Sequence, residues 1–385
     1  MSGAKKMMDY NKVILKNAHI FDPDKGVDDC NGNLYIRGNR IACEPFEADE
    51  GTRVVDLSGY LVLPGLIDFH THLNFGGSDV GLLPDLMLLP NGVTSAVDAG
   101  TCGVSNFESF SRYTIASSLV TIKALLYTAN AGIPAEDFAE NTDPAFFNPP
   151  RIMHAFEQFH DEILGLKIRI GKAFSDNLDS LHATIKIAEK VGCFVGVHIV
   201  DLPCSYEEVL PLLRPGDHVI HPFQHKGVTV LDENKQIRQC LIDAQKRGVM
   251  LDLACARYNW SFEILQQAIK QEVYPDLIGT DLCRINIYER PLFSLPYVMS
   301  TLLAAGMPFN EVVKRSTTIP AKKMGLEGLR GTLSSGSFAD IAVFKIIEKE
   351  MVFTDKLGYT LRGDKLLSPK MTIKDGRILY QCIEI

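Results

Sequence analysis

The sequence has no run of apolar residues long enough to span a bilayer, so no transmembrane helix and no membrane partner are expected. Its start, MSGAKKMMDYNKV, carries two lysines with no apolar segment behind them, and so does not read as a secretory signal. It also lacks a basic excess. Lys+Arg number 39 against 47 Asp+Glu, for a formal charge of −8, which argues against a phosphate-backbone binder and hence against a nucleic-acid partner. The nine cysteines, at 30, 43, 102, 193, 204, 240, 255, 283 and 382, form no CxxC pair and no dense framework. Their odd number in so large a chain points to a reduced, cytoplasmic protein in which some thiols are plain core residues. No tandem repeat or low-complexity tract is visible.

What is present is globular: 46% hydrophobic and 22% charged residues over 385 positions. That length suits one (β/α)8 barrel with a small appendage. The first 60 residues or so read as short strands, with alternating patterns over Lys12 to Ile20, Asn33 to Ile41 and Val54 to Leu63. Asp22-Pro23 and Arg37-Gly38-Asn39 supply the turns. The last 50 or so are similar, with strand signals in Leu333 to Lys345 and a hairpin signal, Lys374-Asp375-Gly376-Arg377, inside Thr372 to Tyr380. One β domain built from both termini is therefore expected, over 1–60 and 330–385. Between them, 61–329 alternates apolar strands with amphipathic stretches such as Leu181 to Val191 and Asp232 to Arg247. The strand candidates lie at 66–69, 95–98, 121–126, 165–169, 194–198, 219–221, 249–253 and 277–281. Continuous apolar runs indicate strands buried on both faces, and repeated βα units of this number point to a closed parallel barrel.

The strongest chemical signal is Asp68-Phe69-His70-Thr71-His72, at the end of the first barrel strand. Residues i and i+2 of a strand point the same way, so His70 and His72 can aim two imidazoles at one metal ion; the bland alternative is a pair of core histidines. His198, His221 and Asp281 end the fifth, sixth and eighth strand candidates, and in a barrel these ends converge on one mouth. Four imidazoles and a carboxylate suit Zn2+. Lys167, in Leu166-Lys167-Ile168-Arg169 on the fourth strand, must be neutralised, since burying an ammonium costs several kcal/mol. Reaction with CO2 to a carbamate that bridges two metals is one solution; pairing with a nearby acid is the other.

This arrangement resembles the binuclear amidohydrolases, which include dihydroorotase, hydantoinase, phosphotriesterase and deacetylases. The likeness spans essentially the whole chain, so it implies a TIM barrel with a small β-sandwich domain. Gly92-Val93-Thr94, Val97-Asp98-Ala99-Gly100, Val197-His198-Ile199, Leu210–Asp217 and Gly279-Thr280-Asp281-Leu282 look closest to the deacetylase-like branch, some of whose members cleave acetyl groups from acylated amino or hydroxy acids. The resemblance implies two Zn2+ per chain, bridged by carboxylated Lys167 and a hydroxide. His70, His72 and Asp281 would hold the buried metal, and His198 and His221 the more exposed one. Asp281 would be the catalytic residue, moving a proton from the attacking water to the leaving amine or alcohol.

Arg169, Arg257 and Arg284 follow the fourth, seventh and eighth strand candidates, and each is a candidate clamp for a substrate carboxylate, with a rim salt bridge as the plain alternative. Departures from family patterns matter here. The arginine that dihydroorotases carry after the HxH pair is Asn74, which argues against dihydroorotase proper. The His-Gly pairs that deacetylase relatives often carry after the seventh strand and after the catalytic Asp are replaced in Ala254-Cys255-Ala256-Arg257 and Leu282-Cys283-Arg284. The expected function is therefore an amide or ester hydrolase acting on a small acylated amino or hydroxy acid. The alternatives are a cyclic-amide hydrolase, a mononuclear deaminase and a catalytically dead binding barrel. A cysteine nucleophile at Cys255 or Cys283 is unnecessary with metal chemistry at hand. His225 is read as either substrate-facing or surface; His19, His154, His160, His182 and His218 are read as structural or exposed. A small-molecule substrate and a homo-oligomer are expected.

Overall fold

The computed structural model describes residues 11–135, 137–256, 259–288 and 293–382. Among the described residues, fifteen strands fall into two sheets. The N-terminal segment supplies β1 (Lys12–Asp22), β2 (Val27–Arg37), β3 (Arg40–Ile41), β4 (Thr52–Asp56) and β5 (Leu61–Pro64). The central segment supplies β6 (Leu66–Thr71), β7 (Val93–Ala99), β8 (Thr121–Tyr127), β9 (Ile163–Arg169), β10 (Phe194–His198), β11 (His218–Ile220) and β12 (Met250–Asp252). The C-terminal segment supplies β13 (Ile341–Thr354), β14 (Thr360–Lys374) and β15 (Arg377–Gln381).

Both chain ends share one mixed sheet, ordered β15-β14-β13-β5-β1-β2-β3, with β4 alongside β1. The sheet takes in Leu61–Pro64, which pairs antiparallel with β13. The hairpin signal at 374–377 is a two-residue turn, Asp375 and Gly376 both having positive φ (49° and 77°), as a right-twisted hairpin requires. The long hairpin of β13 and β14 reaches past the sheet, and at its tip the Asp355 carboxylate accepts the Phe262 N–H at 2.8 Å.

The central strands run parallel in chain order, β6 through β12. Every residue of β6 and β7 is buried, which is why they read as unbroken apolar runs. The eighth strand candidate, 277–281, is not a regular strand. Its segment closes the barrel through isolated parallel bridges, Asp252 to Leu277 on one side and Thr71 to Leu282 on the other. It also bonds from Leu253 N to Leu277 O and from Asp281 N to His70 O. The expected helix at 181–191 is present as Asp179–Val191, whereas only Gln239–Lys246 of 232–247 is helical. The Asp232 side chain caps a tight turn there by accepting the Asn234 and Gln236 N–H groups.

Side chains inside the barrel form two layers. Ile67, Phe69, Val97, Leu125 and Leu277 make an apolar lower plug, with Phe194 and Met250 packed on it. Above it, strand alternation places Lys167, His198 and Asp252 on the inward side. The ladder between β6 and β7 shifts register between Asp68 and Thr71, and this break turns His70 into the same layer.

Candidate active site

Six predicted ligands come from five places in the fold. His70 lies within β6, His72 one residue beyond its end, Lys167 within β9, and His198 at the end of β10. His221 lies just past β11 and Asp281 within the irregular eighth segment, both with left-handed backbones, φ 63° and 51°; Ala254, beyond β12, has φ 38°. For residues with a Cβ that conformation is strained, and strain of this kind gathers where the backbone must aim a side chain.

Two glycines set the spacing. A Cβ on Gly279 would lie 2.4 Å from that of His70, so only glycine brings the eighth segment so close to β6. A Cβ on Gly100, itself at φ 85°, would lie 2.8 Å from the Lys167 Cβ. Asp68 ties the same two segments together by accepting Thr280 N at 2.9 Å and Thr280 Oγ1 at 2.7 Å. Burial pushes the Asp68 carboxyl up to about 7 against those bonds.

The Nε2 atoms of three histidines face the Asp281 carboxylate: His72 at 3.0 Å, His70 at 3.6 Å and His221 at 3.7 Å. His70, His72 and Asp281 offer ligand atoms all within 4.8 Å of one another. Lys167 Nζ is 3.4 Å from His70 Nε2, and the rings of His198 and His221 meet edge to face with centroids 4.6 Å apart. The structure thus brings all six predicted metal ligands into one buried cluster.

The far nitrogens explain this aim. Nδ1 of His70 meets the Asp252 carboxylate at 2.8 Å. Nδ1 of His72 meets the Thr101 hydroxyl at 2.8 Å, and that hydroxyl donates to Asp98 at 2.7 Å. Nδ1 of His221 meets the Ala254 carbonyl. The Ala254 carbonyl only accepts, so Nδ1 of His221 carries the proton. The ionised form of Asp252 holds the proton on Nδ1 of His70 in the same way, and the Thr101 hydroxyl, already donating to Asp98, accepts from Nδ1 of His72, which turns each Nε2 to the Asp281 side. Asp252, Thr101 and Asp98 were not singled out from the sequence. Asp98 falls within a quoted motif, but nothing in a strand-end aspartate says which ring it will meet.

Electrostatics suit a cation. Burial pushes His70 and His198 well below the usual imidazole value and takes His221 down to about 3, so these rings are neutral at pH 7, the form in which imidazole binds metal. Burial works against ionisation of Asp281, but the surrounding imidazoles, His70 first, hold its carboxyl below the usual carboxylate range. Burial raises Asp252 well above that range, with Lys167 opposing. Lys167 is pushed down by burial to about 8, so an appreciable fraction is free amine near neutral pH. Imidazoles beside one carboxylate fit a borderline divalent ion such as Zn2+.

Of the three candidate clamps, Arg169 ends β9 beside the ligands, bonds the largely buried Glu140, which also accepts from Tyr127, and lies 4.1 Å over the Phe174 ring. Its buried Nε has no hydrogen-bond partner among the described residues. Arg284 is exposed, and Arg257 lies outside the described residues. Cys255 is buried, with its thiol turned to the Gly279 carbonyl, and burial raises it well above the usual thiol value, as an inert core cysteine requires. His225 is half-buried, and His218 is fully buried, not exposed.

Comparison with known proteins agrees with this picture. Residues 61–379 match the amidohydrolase family. A deacetylase of Agrobacterium fabrum is 29% identical over 367 residues, covering 94% of this chain and 90% of its own. A deacetylase of Brucella anthropi is 30% identical over 322 residues, covering 83% and 80%. A crystal structure of a dihydroorotase superposes with a TM-score of 0.86 at 29% identity, over 96% of this chain and 98% of the other. One of an adenine deaminase gives 0.86 at 25%, over 97% and 100%.

Proposed function

The chain belongs to the amidohydrolase family, and from that premise we propose that it is a binuclear zinc hydrolase that removes the acyl group from a small acylated amino or hydroxy acid. The hydrolase class, acting on carbon–nitrogen or ester bonds, follows from the family and its deacetylase and dihydroorotase relatives. The observation that carries the finer reading is the convergence of three Nε2 atoms on Asp281, with the Lys167 amine beside them.

His70, His72 and Asp281 would hold one ion and His198 and His221 the other, with Lys167, as its carbamate, between them. Bound there, the two ions would make a water nucleophilic at neutral pH and polarise the substrate carbonyl. Asp281 borders that space and stays ionised, so its free oxygen can take the water's proton and pass it to the departing nitrogen or oxygen. Arg169, steadied by Glu140 and Phe174, keeps an unpaired Nε for a substrate carboxylate. Arg257 and Arg284 remain proposed substrate contacts. No helix of the described residues is long and apolar enough to cross a membrane. No disulfide joins cysteines among the described residues, which supports a reduced compartment such as the cytoplasm.

The second reading, a cyclic-amide hydrolase, is supported by the dihydroorotase likeness and weakened by Asn74, which is buried and amide-bearing where a carboxylate-binding arginine would be needed. Zinc-loaded protein should be assayed against N-acyl amino acids, O-acyl hydroxy acids, dihydroorotate and hydantoins. Release of free acid from the acyclic compounds alone is expected. Turnover confined to ring compounds would replace the first reading with the second.

A further inference from the structure

The three histidines that face Asp281 differ in what holds them from behind. His221 leans on a backbone carbonyl, and His72 on a hydroxyl that is itself fixed by Asp98. His70 alone has a carboxylate directly on its Nδ1, and that carboxylate, Asp252, is 1% exposed. It comes from the end of β12, which the 277–282 segment separates from β6, and no backbone ladder pairs the two strands among the described residues. A buried carboxylate is costly to keep without a partner, and the His70 ring is the side chain that bonds it, beside the Ala254 backbone. We propose that Asp252 is a positioning residue of the reaction: through Nδ1 it locks His70 with Nε2 bare and aimed at the buried metal position, and it sets how tightly that metal is held, with the Thr101–Asp98 pair doing the same at lower strength for His72.

Two physical effects underlie this. An isolated neutral imidazole distributes its proton between two nitrogens, and only the tautomer with Nε2 bare can bind on the Asp281 side. A fixed acceptor on Nδ1 removes the unproductive tautomer and the rotational freedom of the ring. The acceptor's negative charge also makes Nε2 a stronger donor towards a dication, which the neutral Thr101 hydroxyl and Ala254 carbonyl do less well. Asp98 further accepts the Leu73 and Thr101 N–H groups, at 2.7 and 2.8 Å, so the His72 support is a rigid turn.

This rests on the metal-binding reading of the site. The test is zinc affinity, measured by competition with a chromogenic chelator in bicarbonate buffer, for the parent, Asp252→Asn, Asp252→Ala and Thr101→Val. Outer-shell partners of this kind are worth roughly 10–100-fold in affinity. Asp252→Ala is expected at the upper end. Asp252→Asn, which keeps an acceptor without the charge, should recover part of the loss, and Thr101→Val should fall at the lower end. Nitrogen-15 NMR of the metal-free proteins gives a readout without metal: the His70 ring should be the Nδ1–H tautomer in the parent and shift towards Nε2–H in Asp252→Ala. Folded variants that bind zinc as tightly as a zinc-binding parent, with an unchanged His70 tautomer, would overturn the inference. A parent that takes up no zinc would overturn the functional reading, and this inference with it.

Discussion

His218 and His221 are three residues apart, both essentially inaccessible, and they live in different worlds. His218, in the lower plug, stacks on Phe194 with ring centroids 4.4 Å apart and faces Phe69 at 5.6 Å. Neither of its ring nitrogens has a hydrogen-bond partner among the described residues. His221, in the upper layer, has Nδ1 on the Ala254 carbonyl and Nε2 turned to Asp281. Burial depresses both rings, so neither depth nor basicity separates them. What separates them is that His221, a proposed ligand, is held from behind and points at other donors, whereas His218, a packing ring, is held by its faces.

The largest effect that would break this contrast is at His221. His221→Ala should lower kcat/KM by more than the roughly 10–100-fold that an outer-shell partner commands, with one metal lost on elemental analysis. Activity within a few-fold of the parent would put His221 in the same class as His218. Asp281→Asn should cost about 10²–10⁴-fold in kcat if it removes the proposed proton carrier; a loss confined to KM would reassign it to binding. Arg169→Ala should act mainly on KM for acyl compounds that bear a carboxylate and little on neutral esters, and equal losses on both would remove it from substrate recognition.

A pH dependence sharpens the same comparison. Burial brings Lys167 down to about 8 from the ordinary 10.5, so its amine is protonated below that pH and free above it. Only the free amine reacts with CO2. Bicarbonate-dependent recovery of metal by the stripped protein should therefore rise as pH increases through about 8, and a flat profile would speak against the carbamate. The smallest effect belongs to His218. His218→Leu should leave kcat/KM within a few-fold and stabilise the fold by about 1 kcal/mol, by removing buried, unpaired polar atoms; a large loss of activity would show that the plug does more than fill space.

The clustering of the site's residues was legible because each is a polar residue ending an apolar run, and strand ends of a barrel converge. His70, His72, Lys167, His198, His221 and Asp281 could be named on that ground. The mixed sheet was legible from alternation and the Asp375-Gly376 turn. The partners behind the ligands were not, since Asp252 approaches His70 from 182 positions away along the chain and the pairing depends on a register shift in β6. The eighth strand misled because Leu277 to Asp281 has strand composition, yet Gly279 and the left-handed Asp281 replace a regular ladder with bridges. The reach of the β13–β14 hairpin to Phe262 was likewise hidden, because its middle is polar and exposed and carries no packing signal.

The account turns on two metals held across Lys167, and zinc per chain is its most direct test. Protein prepared with bicarbonate and zinc should contain two ions per chain by elemental analysis, and Lys167→Ala should contain fewer while its fold survives by circular dichroism. One ion in both proteins would contradict the bridged site, and none in either would contradict the metal chemistry altogether.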